Sequence, residues 1–247
     1  MTTNLVERLS SAERRMDHAN QRPRDAATLL ILDRSSGGEP RVLMGRRHMR
    51  HKFMPGKFVF PGGRVDPMDS RVPVTADYAE PVKTKLMHAM KHRKGEARAR
   101  AFAVAAIRET YEEAGIFIGR KDGATWKAHG DFEAFAERGI SIDLSPIRFI
   151  ARAITPPRRP RRFDTRFLAV WADAICDRLP EGTGPTGELE ELCWLSLEET
   201  KTLELPTITL TIIEELQRRL SEDPALEPTT SSPYYYWQRK GFVREEV

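Results

Sequence analysis

The chain has 247 residues, 40% of them hydrophobic and 31% charged, with a formal net charge of +4. That length allows one large domain or two small ones with a real core, and the charge favours anionic ligands such as phosphates without predicting nucleic-acid binding. Two cysteines, Cys176 and Cys193, cannot build a disulfide framework; with no apolar run long enough to span a bilayer and no apolar signal core in Met1 to Arg24, a cytoplasmic protein free of membrane is expected.

Residues 4–20 carry Leu5, Leu9, Ala12 and Met16 at helical spacing and predict a peripheral amphipathic helix, within an N-terminal extension over 1–24. Ala26 to Asp33 is a continuous apolar run of strand length. Ser35 to Pro40 is a turn, and Arg41 to Arg46 returns as a second strand, which makes a hairpin. His48 to Lys57 is a basic loop, and Phe58 to Gly63 is a short strand entering a double-glycine turn. Between about 70 and 100 the pattern is irregular. Pro73 and Pro81 discourage a helix before Val82, and Val82 to Arg93 then suits a basic helix.

Ala97 to Ala114 is the strongest helical run, rich in Ala, Arg and Glu, free of Pro, and closed by Gly115 at the position of a left-handed cap. Val104, Ile107, Tyr111 and Ala114 share one face, while Glu109, Glu112 and Glu113 crowd another. Three carboxylates so close repel one another unless the face is solvated or a cation sits among them, and hard divalent ions take such oxygen ligands. Trp126 to Gly139 reads as a helix, Ile147 to Thr155 and Phe163 to Ala172 as strands, and Pro156 to Arg162 as a stiff basic loop between them. Glu190 to Leu195 is a strand, Ser196 with Glu199 forms a capping box, and Thr207 to Leu220 is an amphipathic helix. A Pro/Ser/Thr stretch, 224–233, links to a tail with Tyr234 to Trp237, read as a packing or dimer patch. Strands, a long helix, more strands and then helices suggest a mixed sheet between helices.

Phe60-Pro-Gly-Gly63 followed by Arg108-Glu-Thr-Tyr-Glu-Glu-Ala-Gly115 resembles the Nudix hydrolase signature, Gx5Ex7REUxEExGU. Gly63, Arg108, Glu109, Glu112, Glu113, Gly115 and Ile116 match; Thr110 replaces an aliphatic residue, and Asp69 replaces the first glutamate. Asp69 and Arg108 are separated by 38 residues where the signature has seven, so about 31 are inserted. Such an insertion, with Arg162-Phe-Asp-Thr-Arg166, resembles a branch of the family similar to peroxisomal coenzyme A diphosphatases. Leu43, Arg47, Gly56 and Phe60 to Gly63 also partly match a coenzyme A-directed motif, although Gly45, His48 and Lys52 depart from it.

The resemblance implies an α/β/α Nudix sandwich over 25–222, with a mixed central sheet, a helical insertion and a C-terminal tail over 223–247. It implies Mg²⁺ or Mn²⁺ held by Glu109, Glu112, Glu113 and a carbonyl at Gly62 or Gly63, with Arg108 orienting the glutamates. The general base is Glu112 or a carboxylate of a later loop: Glu188, Glu190 or Glu191, with Glu190 put forward for the catalytic set. Arg47, Phe60, Gly63, Arg162 and Asp164 are the expected substrate contacts. The implied reaction is cleavage of a diphosphate bond in a nucleoside-diphosphate-linked substrate. Coenzyme A or acyl-coenzyme A is favoured over ADP-ribose, NADH or another nucleotide, and a non-catalytic nucleotide-binding module is a third reading. A homodimer is compatible with the family, and nucleic acid is not expected as a partner. His48, His51, Cys176 and Cys193 read as surface or structural residues.

Overall fold

The computed structural model describes residues 2–12, 16–35, 37–50, 55–91 and 94–247; His51, Lys52, and His92 and Arg93 at the end of the expected basic helix lie outside them. In chain order the elements are α1 (Thr2–Ser11), β1 (Arg24–Asp33), β2 (Arg41–Arg47), β3 (Phe58–Val59), β4 (Gly62–Arg64), α2 (Glu80–Met87), α3 (Glu96–Ala114), β5 (Ile116–Ile118), β6 (Arg120–Lys121) and α4 (Glu133–Glu137). They continue with β7 (Ile140–Ser141), β8 (Arg148–Ile154), β9 (Phe163–Trp171), β10 (Ile175–Arg178), β11 (Leu189–Ser196), α5 (Leu197–Thr200), α6 (Thr207–Glu222), β12 (Pro233–Gln238) and β13 (Gly241–Glu246).

The main sheet runs β11-β2-β1-β9-β8-β12-β13, with β3 added to β2 and β4 to β1. It is mixed: β1 runs parallel to β9 and antiparallel to β2. The unbroken apolar run of β1 is explained by burial on both faces. Ala27, Leu29 and Ile31 pack under α3 in one core, and Leu30 and Leu32 pack with Ile212, Ile213 and Leu216 of α6 in the other. Helices therefore cover both faces, as the expected fold class required.

The segment between β4 and α3 reaches the carboxylate face only near its start, where Asp69 binds Arg108, and its later part packs on the first half of the helix. Tyr78 donates its hydroxyl proton to the Ala99 carbonyl and accepts from the Ala103 amide, and Val82 and Leu86 of α2 are buried in the α3 core. Tyr78 and α2 thus brace the N-terminal half of α3. Lys85 donates to the carbonyls of Pro228 and Thr230, and burial lowers its pKa to about 8.

Four expectations about local structure are corrected. The basic helix expected over Val82 to Arg93 is α2, which starts at Glu80, takes Pro81 into its first turn and ends at Met87. The first helix ends at Ser11 rather than running to residue 20. The helix expected over 126–139 is only a short 3₁₀ turn and α4, although Phe132 and Phe135 are buried as an amphipathic pattern demands. The expected tail, 223–247, is part of the main sheet: Tyr234 and Tyr235 pair in parallel with Arg152 and Ala153, and β13 closes a hairpin on β12. A linker-like Pro/Ser/Thr stretch hides this in the sequence, because pairing with a distant strand leaves no local signal. Cys176 and Cys193 are free thiols, half-buried, donating to the Phe117 and Met44 carbonyls. Among the described residues, no helix is long and apolar enough to cross a membrane.

Candidate active site

The site is made where β4 meets the C-terminal half of α3. β4 pairs with β1 through Ala27–Gly63 and Thr28–Gly62, which sets the glycine turn against the helix despite the long intervening segment. The Gly62 amide donates to Glu113 Oε2 at 3.0 Å. A Cβ on Gly63 would lie 2.4 Å from the Glu109 carboxylate, so any other residue would push that carboxylate from its place.

The acidic face of α3 is not solvated. Glu113 is 3% exposed, and the side chains of Glu109 and Glu112 are 15% and 16% exposed. Burial raises the Glu109 pKa to about 7, with the charges of Glu112 and Glu188 adding to it and Arg108 opposing. Burial, then the charge of Glu188, raises Glu113 well above the ordinary value against the Gly62 amide. Burial also raises Glu112, with Arg108 opposing and the neighbouring Asp131 charge adding to it. Desolvated carboxylates that repel one another gain little from this arrangement on their own.

Arg108 holds the group in register. It donates to Glu109 Oε1 at 3.0 Å, to Glu112 Oε1 at 2.7 Å and to the Arg64 carbonyl at 3.0 Å. Asp69, 2% exposed, fixes the guanidinium through two bonds of 2.9 and 3.1 Å. The aspartate that replaces the signature's first glutamate thus meets Arg108 across the long segment. Thr110 is buried, and its hydroxyl donates to the Ala106 carbonyl at 2.7 Å.

The C-terminus of α3 is capped by the loop after β10. Gly115 adopts φ +67°, the left-handed cap the sequence predicts. Gly184 and Thr186 amides donate to the carbonyls of Glu113 and Glu112, and Leu179 donates to that of Gly115. These bonds satisfy groups that a helix end leaves open, and they deliver Glu188 to the carboxylate group, where Arg47 pairs with it.

Of the residues 188–191, Glu188 therefore acts on Glu109 and Glu113, whereas Glu190 is exposed and paired with His48 at 3.1 Å. Regular alternation would leave Glu188 and Glu190 on one face; the register shift between Leu189 and Glu191 breaks it and sends Glu190 elsewhere. Phe60 is also displaced from its expected role: it is 5% exposed in the core on the α6 side of the sheet. Arg162 donates to Thr155, Asn20 and Gln21, tying the N-terminal segment to the loop before β9. Asp164 is locked between Arg152 and Arg166 under the other half of α3. Sequence reading missed Asp131, which no motif marks and only packing brings to Glu112.

The donor chemistry fits a hard divalent cation: Glu109 and Glu113 are buried, close, short of positive charge and lined by backbone glycine. Among the described residues, no three His, Cys, Asp or Glu groups converge as a finished cage. Arg108 and the Gly62 amide take up the carboxylate oxygens instead. Arg47 Nε is buried and has no hydrogen-bond partner among the described residues.

No family model matches the chain. "Putative nudix hydrolase 7" of Caenorhabditis elegans is 27% identical over 188 residues, covering 71% of this chain and 52% of that protein. The chain thus spans about half the length of that curated relative. The crystal structure of a NUDIX hydrolase from Alicyclobacillus acidocaldarius matches with a TM-score of 0.58 and 26% identity, covering 78% of this chain and 90% of that one. Together they support the Nudix hydrolase family and its mixed α/β fold for this chain.

Proposed function

We propose that the chain is a Mg²⁺- or Mn²⁺-dependent hydrolase that cleaves a diphosphate bond in a nucleoside-diphosphate-linked substrate, with coenzyme A or acyl-coenzyme A favoured. The observation that carries this reading is the burial of Glu109 and Glu113 against Gly62 and Gly63 with their carboxyl pKa values raised. Nudix hydrolases generally use such divalent ions. Glu109 and Glu113 would hold the ion, with Glu112 and the Gly62 carbonyl as further ligands. A bound ion offsets the phosphate charge and acidifies coordinated water.

The chain's own groups do the rest. Arg108, fixed by Asp69, keeps Glu109 and Glu112 aligned. Arg47, paired with Glu188 beside the carboxylates, is the cation that would meet a phosphate oxygen. Glu188, in the role expected of Glu190, and Glu112 are the carboxylates suited to accept the proton of the attacking water. The coenzyme A preference is supported by the motif matches at Leu43, Arg47, Gly56 and Phe60 to Gly63.

The test is a turnover screen of coenzyme A, acyl-coenzyme A, ADP-ribose, NADH and diadenosine polyphosphates with Mg²⁺ and Mn²⁺, with products identified by mass. Metal-dependent release of phosphorylated fragments is expected. Glu113→Gln should lower kcat about a thousandfold, as losing several kcal/mol of transition-state stabilisation requires. Cleavage of ADP-ribose but not coenzyme A would move the substrate; cleavage of none, or full activity in Glu113→Gln, would sink the assignment.

A further inference from the structure

One cavity lies beside the carboxylates and takes no part in the scheme above. It measures about 220 Å³ and is lined by Leu43, Ala114, Ile116, Arg178, Leu192 and Trp194, among others. It is smaller than the roughly 300–1,000 Å³ that holds a drug-sized ligand, so it suits a single ring system. Ala114 follows Glu113 directly. Leu43 and Arg47 lie four residues apart on one face of β2, about 13 Å at the usual strand rise. That interval spans the sugar and phosphates between a base and a diphosphate.

Trp194 stands apart from the other three tryptophans. Trp126 donates to the Ile140 carbonyl at 3.0 Å, Trp171 lies 4.5 Å from the Arg34 guanidinium, and Trp237 meets Phe242 edge-on at 5.4 Å. Trp194, half-buried on the cavity wall, has no ring partner and no hydrogen bond among the described residues. Leu192, two residues away on the same strand, and Leu43, its register partner, complete an apolar platform around the indole. The guanidinium of Arg178, an exposed residue at the rim, has no ion pair among the described residues. A half-buried indole on the cavity wall, aliphatic neighbours and a rim cation match a flat, electron-rich heterocycle.

We infer that this cavity is the subsite for the nucleobase of the substrate, with Trp194 as its stacking platform and Arg178 as its rim contact. The identity of the ligand rests on the diphosphate reading; the geometry of the cavity does not. Trp194 and Leu43 are then the residues that set preference for a base-bearing substrate.

The test is calorimetric titration of the full chain with adenosine 5′-monophosphate and with ribose 5-phosphate, alongside indole fluorescence. The base should tighten binding at least about fivefold, in line with base–aromatic stacking, and should quench the indole signal. Trp194→Leu should abolish both effects, and Leu43→Phe, which fills the cavity, should remove the preference for the base. Arg178→Ala alters only an exposed side chain and should weaken the monophosphate about two- to fivefold, as an exposed cation–π contact would. Equal affinity of the wild-type chain for the two ligands, or an unchanged preference in folded Leu43→Phe, overturns the inference. A base preference without any diphosphate turnover would leave the subsite standing and remove the hydrolase reading. Turnover without a base preference would do the reverse.

Discussion

Two buried ionic clusters sit under α3, one beneath each half, and they differ in charge balance. Under the N-terminal half, Asp25 and Asp164 meet Arg98, Arg152 and Arg166. Burial would raise the Asp164 pKa, yet the flanking arginines pull it below the ordinary value. Arg166, fully buried, lies 4.1 Å from the Phe102 ring centroid, and Arg152 lies 4.4 Å from that of Tyr234. Under the C-terminal half, Glu109, Glu112, Glu113, Glu188 and Asp69 face Arg47 and Arg108. There the three helix glutamates have raised pKa values. Two aspartates against three arginines come near to balance and hold the fold together, while five carboxylates against two arginines leave an excess that asks for a cation.

The sharpest way to break this comparison is to neutralise one carboxylate in each cluster and measure stability by urea denaturation without metal. Asp164→Asn leaves Arg152 and Arg166 short of a counter-charge and should cost about 3–5 kcal/mol. Glu113→Gln removes like-charge repulsion and should leave stability unchanged or raise it. If both variants lose stability equally, the distinction between the clusters fails.

A smaller effect is expected at Asp69, which acts through Arg108. Asp69→Asn should lower kcat by about tenfold, the lower end of the range for groups that orient metal ligands, with KM little changed. Asp69→Glu, the residue of the usual signature, should restore part of the loss; a merely structural role would show no such rescue.

The smallest effect is on pH dependence. The folded pKa of Glu109, about 7, lies above its ordinary 4.5, so the folded chain keeps a proton that the unfolded chain releases between those values. Its contribution to stability is complete below about pH 4.5 and is lost as pH rises through 7. Metal-free chain should therefore lose stability across that interval, and added Mg²⁺ should flatten the slope while releasing protons. Calorimetry in buffers of different ionisation enthalpy reads that release; its absence at pH 6 would break the link between Glu109 and the ion.

Much of this site was legible in local pattern. The spacing of Glu109, Glu112 and Glu113, the cap at Gly115 and the turn at Gly62 and Gly63 depend on helix geometry and on conformational freedom at single residues, which short segments encode. The β1 and β2 strands and α6 were readable for the same reason. Other assignments needed partners far away in the chain. Whether three glutamates face water or a buried turn depends on β4 pairing with β1. Which of Glu188 and Glu190 joins them depends on a register shift in β11. That Asp164 and Arg162 serve the scaffold, and that 223–247 completes the sheet, follows from strand neighbours that no window of sequence contains. Residue type and spacing set which chemistry the chain can offer; long-range pairing and burial decide where those charges meet and which remain uncompensated.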